Sequence, residues 1–222
     1  MKKVCCVTLT DTPNYGAVLQ AFSLKEYVSS LGYEYTLLNY ENEDQRKKFS
    51  FWGTTEFMDW KYSLYKKIQY PINCHRIKKI VSFQHKYGNL SEFIRKSDLP
   101  KIKEKYDVFI CGSDQIWNNP EVNHYDENFF LRFAEGKNTI AYAASFGKTM
   151  DMLTQRDIDL YKDNIGRIRH ISVREESGIK IVAEYGKREA QLVCDPVYLL
   201  SADEWKKIAV KPNRGKYILV YL

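Results

Sequence analysis

Polar and charged residues follow directly after the apolar runs of this 222-residue sequence. In an open sheet of parallel strands the carboxyl ends of the strands lie along one edge, so residues at these positions converge. They supply backbone amides, hydroxyls, aspartates and an arginine, which together suit the binding of an anion and the transfer of protons. The candidate residues at this rim are Asn14, Gly16, Gly112, Ser113, Asp114, Gln115, Ser145, Arg174, Glu175 and Asp195.

Arg174 carries the most specific chemistry of this set. A guanidinium at the end of a buried strand offers paired N–H donors for a carboxylate or a phosphate. The alternative is a structural ion pair with Glu175, Glu176 or Asp195, and the sequence leaves it open. Because Asp195 precedes Pro196, we expect it to shape a turn rather than to serve as a catalytic carboxylate.

Two other turns carry weaker signals of the same kind. The turn that contains Asn14 opens a helical segment, whose first N–H groups and positive dipole end favour an anion. Gly112 lets a backbone approach closely, and Trp117 is suited to stacking on the face of a sugar. A plain tight turn is the alternative for the first, and core packing of Trp117 beneath the loop is the alternative for the second.

Apolar runs predict the strands that position these residues. Runs at 4–9, 33–40, 106–111, 139–144, 170–173 and 190–194 alternate with helical segments at 15–31, 151–168, 175–186 and 202–209. Short apolar runs separated by helices indicate strands that are buried on both faces and pair in parallel. The sequence therefore predicts an α/β fold, an open parallel sheet with helices on both faces.

A basic and aromatic stretch, residues 41–105, interrupts this alternation. It holds 15 Lys and Arg residues against 8 Asp and Glu residues, whereas the formal charge of the whole chain is +6. We predict a mostly helical insertion with helices near 55–69 and 73–88. Lysines interleaved with aromatic rings suit an anionic partner such as nucleic acid, a phospholipid surface or a phosphorylated sugar, and a solvated helical layer is the alternative. No nucleic-acid-binding motif accompanies the charge, so we expect no nucleic-acid partner.

Cysteine spacing and hydropathy exclude several classes of protein. The five cysteines include no CxxC pair, and four lie in or at the end of apolar runs, which predicts reduced, buried thiols. The four histidines form no HxH or HxxxH pair, so we expect no metal centre. No apolar run approaches the roughly 18 residues of a membrane span, and the chain opens without a signal-peptide pattern. We expect a cytoplasmic globular protein.

The last residues predict a strand that belongs to a further unit. A polar turn leads into the apolar segment 217–222, and an apolar strand at a terminus invites aggregation unless it is paired. We therefore expect residues 1–212 to form one domain, and residues 213–222 to form a linker and the first strand of a second domain. The alternative is a strand that closes the first domain.

Five segments in combination resemble the polysaccharide pyruvyl transferase family. They occur in the order of the family and span nearly the whole chain, whereas residues 41–105 match no motif of it. The segments are 14–21 (NYGAVLQA), 106–118 (YDVFICGSDQIWN), 141–147 (AYAASFG), 172–175 (SVRE) and 194–200 (CDPVYLL). The resemblance implies a glycosyltransferase-like (GT-B-type) architecture of two Rossmann-like domains facing a cleft, with this chain as its first half.

The resemblance also implies an activity, the transfer of pyruvate from phosphoenolpyruvate to a saccharide as a ketal, with release of phosphate. In that chemistry Arg174 suits the cation that binds the donor. Asp114 suits a base, or a group that binds a hydroxyl of the acceptor. Asn14, Gln20 and Trp117 are expected contacts of the saccharide acceptor, free or lipid-linked. The chemistry requires neither a metal ion nor a nucleotide cofactor.

Two rival functions stay open at this point. A nucleotide-sugar-dependent glycosyltransferase uses the same two-domain architecture, and fold alone does not separate the two activities. A non-catalytic module that binds an acceptor or a membrane surface through residues 41–105 is the other, and it places the protein at the inner face of the membrane.

Overall fold

A computed structural model describes residues 1–10, 14–40, 78–118 and 124–211, together with residues 213, 215, 216 and 218. The helix expected at 55–69 lies outside these residues, as does nearly all of the strand expected at 217–222. The division into a domain of residues 1–212 and a following linker stays a prediction.

Seven parallel strands form one sheet in the order β3-β2-β1-β4-β5-β6-β7. Their bounds are β1 Lys3–Val7, β2 Glu34–Tyr40, β3 Leu90–Ile94, β4 Val108–Cys111, β5 Asn138–Ala144, β6 His170–Val173 and β7 Gln191–Leu192. The chain builds outward from β1 in one direction and then from β4 in the other, which is the strand order of Rossmann-like folds. The predicted α/β fold with an open parallel sheet is confirmed. Its topological switch point lies between β1 and β4.

The described residues form six α-helices, and three of them begin at a residue whose side chain caps the free backbone N–H groups. The six helices are α1 Tyr15–Ser30, α2 at 78–87, α3 Leu99–Ile102, α4 Gln155–Asn164, α5 Glu176–Ile181 and α6 Ala202–Ile208. Asn14 caps α1, while Thr154 with Asp157 and Ser201 with Glu204 form capping boxes at α4 and α6. Asn14 therefore fixes the residue at which α1 begins, at the end of the connection that follows β1.

Apolar side chains pack on both faces of the sheet. Along β1, Cys5 and Val7 face a core that includes residues of α3, α4 and α5, whereas Val4 and Cys6 face a second core with residues of α1. This period-2 alternation confirms that helices cover both faces. Cys111 joins Cys5 and Cys6 as a buried free thiol, but Cys194 is exposed, so the prediction of a buried thiol was wrong there. Cys74 lies outside the described residues.

Within the basic stretch 41–105, residues 90–94 form a strand that the sequence analysis did not predict. Residues 41–77 lie outside the described residues, so the expectation of a mostly helical insertion stays a prediction. Residues 78–87 are helical, as expected within 73–88, but Leu90–Ile94 form β3 at the edge of the sheet. Leu37 of β2 pairs with Leu90, and Tyr40 pairs with Ile94. An edge strand has one unpaired side and is half exposed, so its sequence lacks the continuous apolar run of the central strands.

Candidate functional site

The carboxyl ends of β4, β6 and β7 bring a guanidinium and three carboxylates together. Arg174 follows β6 directly, and its Nη1 donates to Asp195 Oδ2 at 3.0 Å. Arg174 Nη2 lies 3.8 Å from Asp114 Oδ1, and Arg174 Nε lies 3.8 Å from Glu175 Oε2. The convergence expected for these four residues from strand topology is present, and the cluster carries a negative formal charge because three carboxylates surround one guanidinium.

Only part of the hydrogen-bonding capacity of Arg174 is used by these carboxylates. The contact with Asp195 has the length of a hydrogen bond, whereas the two contacts of 3.8 Å are too long for one. A quarter of the Arg174 side chain is exposed. The ion pairs expected with Glu175 and Asp195 are therefore present, and they leave donor capacity on the guanidinium for a ligand.

Backbone N–H groups hold two of the carboxylates in place. Glu175 Oε1 accepts a hydrogen bond from the N–H of Phe146 at 2.8 Å, which ties the loop after β6 to the loop after β5. Asp114 Oδ1 accepts one from the N–H of Gln115 at 2.8 Å. Each of these carboxylates is therefore oriented by a main-chain N–H group as well as by Arg174.

Asp195 uses its two oxygens for different partners. Its Oδ1 accepts from the N–H of Val197 and caps the 3₁₀ helix Pro196–Leu199, which is the turn predicted before Pro196. Its Oδ2 accepts from Arg174 and from the hydroxyl of Ser113 at 3.2 Å. The same carboxylate therefore caps the start of the 3₁₀ helix and binds the guanidinium.

Gly112 permits the close approach of the loop after β4 to strand β5. Its φ is +112°, and a Cβ at this position would lie 2.3 Å from the carbonyl oxygen of Tyr142. Gly147 has the same character, since a Cβ there would lie 2.8 Å from Gln115 Oε1. Both glycines have a positive φ and a close neighbour where a Cβ would lie, so backbone geometry and contact both favour glycine at these positions.

Several residues predicted to bind substrate lie beneath the rim. Ser113 and Gln20 are 0 % and 1 % exposed, and the N–H of Ser113 donates to Gln20 Oε1 at 3.0 Å. Ser145 is also buried, and its hydroxyl accepts from the N–H of Gly147. The side chains of Gln20, Ser113 and Ser145 support the loops that carry the charged residues.

The start of α1 is exposed, but its first N–H groups already have a partner. Asn14 Oδ1 accepts hydrogen bonds from the N–H of Gly16 at 2.8 Å and of Ala17 at 3.3 Å. These are the groups that the sequence suggested for an anion. The structure favours the alternative, a capped turn.

Trp117 lies in the core, which contradicts its predicted role in stacking on a sugar. The side chain is fully buried, and its ring stacks on Phe130 with 5.2 Å between ring centroids and 3° between planes. The indole N–H donates to the carbonyl of Phe129 at 3.1 Å. Both aromatic surface and polar atom are used inside the protein, so core packing was the correct alternative.

A model of the polysaccharide pyruvyl transferase family matches residues 14–222. The chain belongs to this family. The match includes the charged cluster after β4, β6 and β7 as well as the capped start of α1. No curated protein and no solved structure matches the chain significantly. The family is one of transferases, and its name assigns pyruvyl transfer in polysaccharide biosynthesis.

Thr8 supports the loop after β4 from beneath the rim, and the sequence analysis missed it. It is fully buried after β1, its hydroxyl donates to the carbonyl of Ser113 at 3.0 Å, and it accepts from Gln20 Nε2 at 3.2 Å. The sequence pattern could have identified Thr8, because it is a polar residue that follows an apolar strand, as the other rim residues do.

Within the described ranges of this pyruvyl transferase family member, no group of three or more His, Cys, Asp and Glu side chains is arranged to hold a metal ion. None of the helices in the same ranges combines the length and the hydropathy of a membrane span.

Residues of the basic stretch line a groove on α2, and none of them belongs to the charged cluster. The groove has a volume of about 420 Å³ and is lined by Lys78, Lys79, Ser82, Phe83 and Lys86. All three lysines are exposed, and residues 78–88 contain no acidic residue. Helical spacing places the lysines on one side of α2, which gives this side a positive charge.

Proposed function

We propose that the protein transfers the pyruvyl group of phosphoenolpyruvate to two hydroxyl groups of a saccharide, forming a ketal and releasing phosphate. The chain belongs to this family, and one observation supports the proposal. Arg174 lies at the rim among Asp114, Glu175 and Asp195, and it still has N–H groups available to bind a ligand. A guanidinium binds a carboxylate or phosphate of the donor, and carboxylates bind or deprotonate hydroxyl groups of the acceptor.

The reaction requires one proton to be gained by carbon and two to be lost by the acceptor. Protonation of the methylene carbon of phosphoenolpyruvate makes C2 electrophilic, and the first hydroxyl oxygen forms a bond to C2. The C2–O bond to phosphate breaks, and the second hydroxyl oxygen closes the ketal. Of the two hydroxyl protons, one balances the new methyl group and the other leaves with phosphate as HPO₄²⁻.

Arg174 suits the donor because its Nε and Nη2 make contacts of 3.8 Å and have no close acceptor among the described residues. Two N–H groups on one planar fork match the two oxygens of a carboxylate or a phosphate. Asp195, bound to Nη1, fixes the plane of the fork. We assign Arg174 to binding of the donor and to stabilising the negative charge on the leaving phosphate.

Asp114 suits the acceptor side. Its side chain is 16 % exposed, and its Oδ1 is tied to the N–H of Gln115, while Oδ2 has no hydrogen-bond partner among the described residues. A carboxylate anchored through one oxygen presents the other to a hydroxyl group in a fixed direction. We assign Asp114 to orienting the acceptor and taking a hydroxyl proton.

Phosphate release tests this proposal in the full-length protein. With phosphoenolpyruvate and a saccharide acceptor, we expect phosphate to appear together with a stable pyruvyl ketal. Arg174→Ala should abolish donor use, Arg174→Lys should retain part of it, and Asp114→Asn should lower turnover with the donor still bound. Unchanged phosphate release by Arg174→Ala would overturn the assignment of Arg174.

A nucleotide sugar is the competing donor. Each ligand that binds the folded state raises the melting temperature according to its affinity. We expect phosphoenolpyruvate to raise it and a nucleotide sugar to leave it unchanged. Protection by the nucleotide sugar alone would favour glycosyl transfer instead.

We further propose that the lysine side of α2 contacts an anionic membrane surface, which brings a lipid-linked acceptor near the site. The support is the positive charge of Lys78, Lys79 and Lys86 on one exposed side, with no acidic residue in 78–88. Each lysine near an anionic leaflet contributes about 1 kcal/mol of binding free energy.

A further inference from the structure

Ser113 stands between the buried interior and the charged cluster. Its main chain is held on both sides by side chains: the N–H donates to Gln20 Oε1 at 3.0 Å, and the carbonyl accepts from the Thr8 hydroxyl at 3.0 Å. All three residues are at most 1 % exposed. Since its N–H and carbonyl are both used in this way, the hydroxyl is the polar group of Ser113 that can contact the charged cluster.

The hydroxyl of Ser113 is directed at the site. It donates to Asp195 Oδ2, the same oxygen that accepts from Arg174 Nη1. A continuous chain of hydrogen bonds therefore runs from Gln20 through Ser113 and Asp195 to Arg174. Each link has a length between 3.0 and 3.2 Å.

Gln20 is fully used in this chain. Its Nε2 donates to the carbonyl of Ala17 at 2.8 Å and to the Thr8 hydroxyl, while Oε1 accepts from Ser113. A buried amide with all of these bonds made has one orientation and resists rotation. Gln20 therefore connects α1, the end of β1 and the loop after β4 at one point.

We propose that Gln20 and Ser113 are positioning residues that set the direction of the Arg174 guanidinium through Asp195. Neither touches the substrate. The inference rests on the proposed function, because it concerns how Arg174 presents its free N–H groups to phosphoenolpyruvate. Without the Ser113 hydroxyl, Asp195 keeps its cap on the 3₁₀ helix but loses the bond that fixes Oδ2, and Arg174 loses its orientation.

A double-mutant cycle separates positioning from a general effect on the fold. Ser113→Ala should lower kcat/KM for phosphoenolpyruvate about tenfold, the cost of one hydrogen bond to a charged group. In an Arg174→Lys background, the same change should cost less than about twofold, because an ammonium group has no plane to orient. Equal costs in the two backgrounds would overturn the proposal.

Two variants complete the test. Ser23→Ala is the matched control, since Ser23 is a buried serine of α1 whose hydroxyl bonds the carbonyl of Leu19, and its kcat/KM should stay unchanged. Gln20→Met keeps the length of the side chain without its bonds, and its effect should not add to that of Ser113→Ala. Full addition of the two effects would contradict a single path through Ser113.

A spectroscopic measurement keeps the inference independent of activity. The Nε–H signal of Arg174 in an NMR spectrum, assigned by its loss in Arg174→Lys, should shift or broaden in Ser113→Ala and not in Ser23→Ala. An unchanged Arg174 signal in Ser113→Ala would overturn the positioning role. If the wild-type protein releases no phosphate while the signal still changes, the proposed donor chemistry fails and the positioning role stands.

Discussion

Asp195 lies 21 residues beyond Arg174 in the chain, yet its Oδ2 accepts from Arg174 Nη1 at 3.0 Å. The two residues meet because β6 and β7 are parallel neighbours, with Val173 paired to Leu192. Asp195 is anchored independently of Arg174, since its Oδ1 caps the 3₁₀ helix Pro196–Leu199. Its Oδ2 also accepts from the hydroxyl of Ser113, so each oxygen of the carboxylate has a partner besides Arg174.

Asp195→Asn separates these two roles. Asparagine retains an oxygen for the cap on Val197 and loses the charge that holds Arg174. We expect kcat/KM to fall roughly tenfold or more, and the unfolding free energy to change by less than about 1 kcal/mol because the pair is partly exposed. Phosphate release measures kcat/KM, and thermal unfolding measures the change in stability. Asp203→Asn, which removes an exposed ion pair with Lys206, is the control and should change neither.

Gly112→Ala should destabilise the fold through a contact rather than through backbone strain alone. A Cβ at Gly112 would lie 2.3 Å from the carbonyl oxygen of Tyr142, so the loop has to move away from β5. We expect a loss of roughly 2 kcal/mol or more in urea denaturation. Gly136→Ala is the matched control, since Gly136 also has a positive φ but nothing within 4 Å of a Cβ. Its cost should be about 1 kcal/mol. Equal losses in the two variants would show that the contact with Tyr142 does not matter.

Alkaline pH should destabilise the protein through its buried thiols. Burial raises the pKa of Cys6 from 9.0 to about 12, so the unfolded chain releases this proton at a lower pH than the folded one. The contribution of Cys6 to stability is complete below pH 9 and is lost as the pH rises toward 12. We expect the unfolding free energy, measured by urea denaturation, to fall less between pH 8 and pH 10 in Cys6→Ala than in the wild-type protein.

Cys194→Ala is the control for this pH dependence, because Cys194 is exposed. Its difference in stability between pH 8 and pH 10 should equal that of the wild-type protein. If the unfolding free energy of Cys6→Ala falls between pH 8 and pH 10 by as much as that of Cys194→Ala, burial of Cys6 is not the cause of the pH dependence.

Binding to anionic vesicles tests the surface proposed on α2. We expect the protein to bind vesicles that contain phosphatidylglycerol at low salt and not pure phosphatidylcholine vesicles. Replacing Lys78, Lys79 and Lys86 by glutamine should weaken binding roughly a hundredfold, from about 1 kcal/mol for each lysine. Co-sedimentation measures the change.

A variant with the same change in net charge distinguishes this surface from the charge of the whole protein. Glutamine at the exposed Lys187, Lys206 and Lys207 should leave vesicle binding nearly unchanged. An equal loss in both triple variants, or no binding by the wild-type protein, would contradict the proposed membrane contact.

Most of the sheet could be predicted because its central strands are buried on both faces. The strand expected at 170–173 is β6 itself, and the run at 33–40 contains β2. Strand β3 was missed because Leu90–Ile94 lie at an edge, where only one neighbour and partial burial act on the sequence. Its partner Leu37 is 53 residues away, and no local pattern records that pairing.

The sequence by itself predicted that the charged residues of the rim lie close together. Arg174, Asp114 and Asp195 each follow an apolar strand, and the rule that parallel strands end at one edge is enough to bring them together. Side-chain directions within the rim followed from the tertiary structure alone. Trp117 turned inward because the rings of Phe130 and Phe146, which come from later segments of the chain, pack on its indole. Ser113 turned toward Asp195 because Gln20 and Thr8 hold its main chain, and such long-range contacts have no periodicity that a sequence displays.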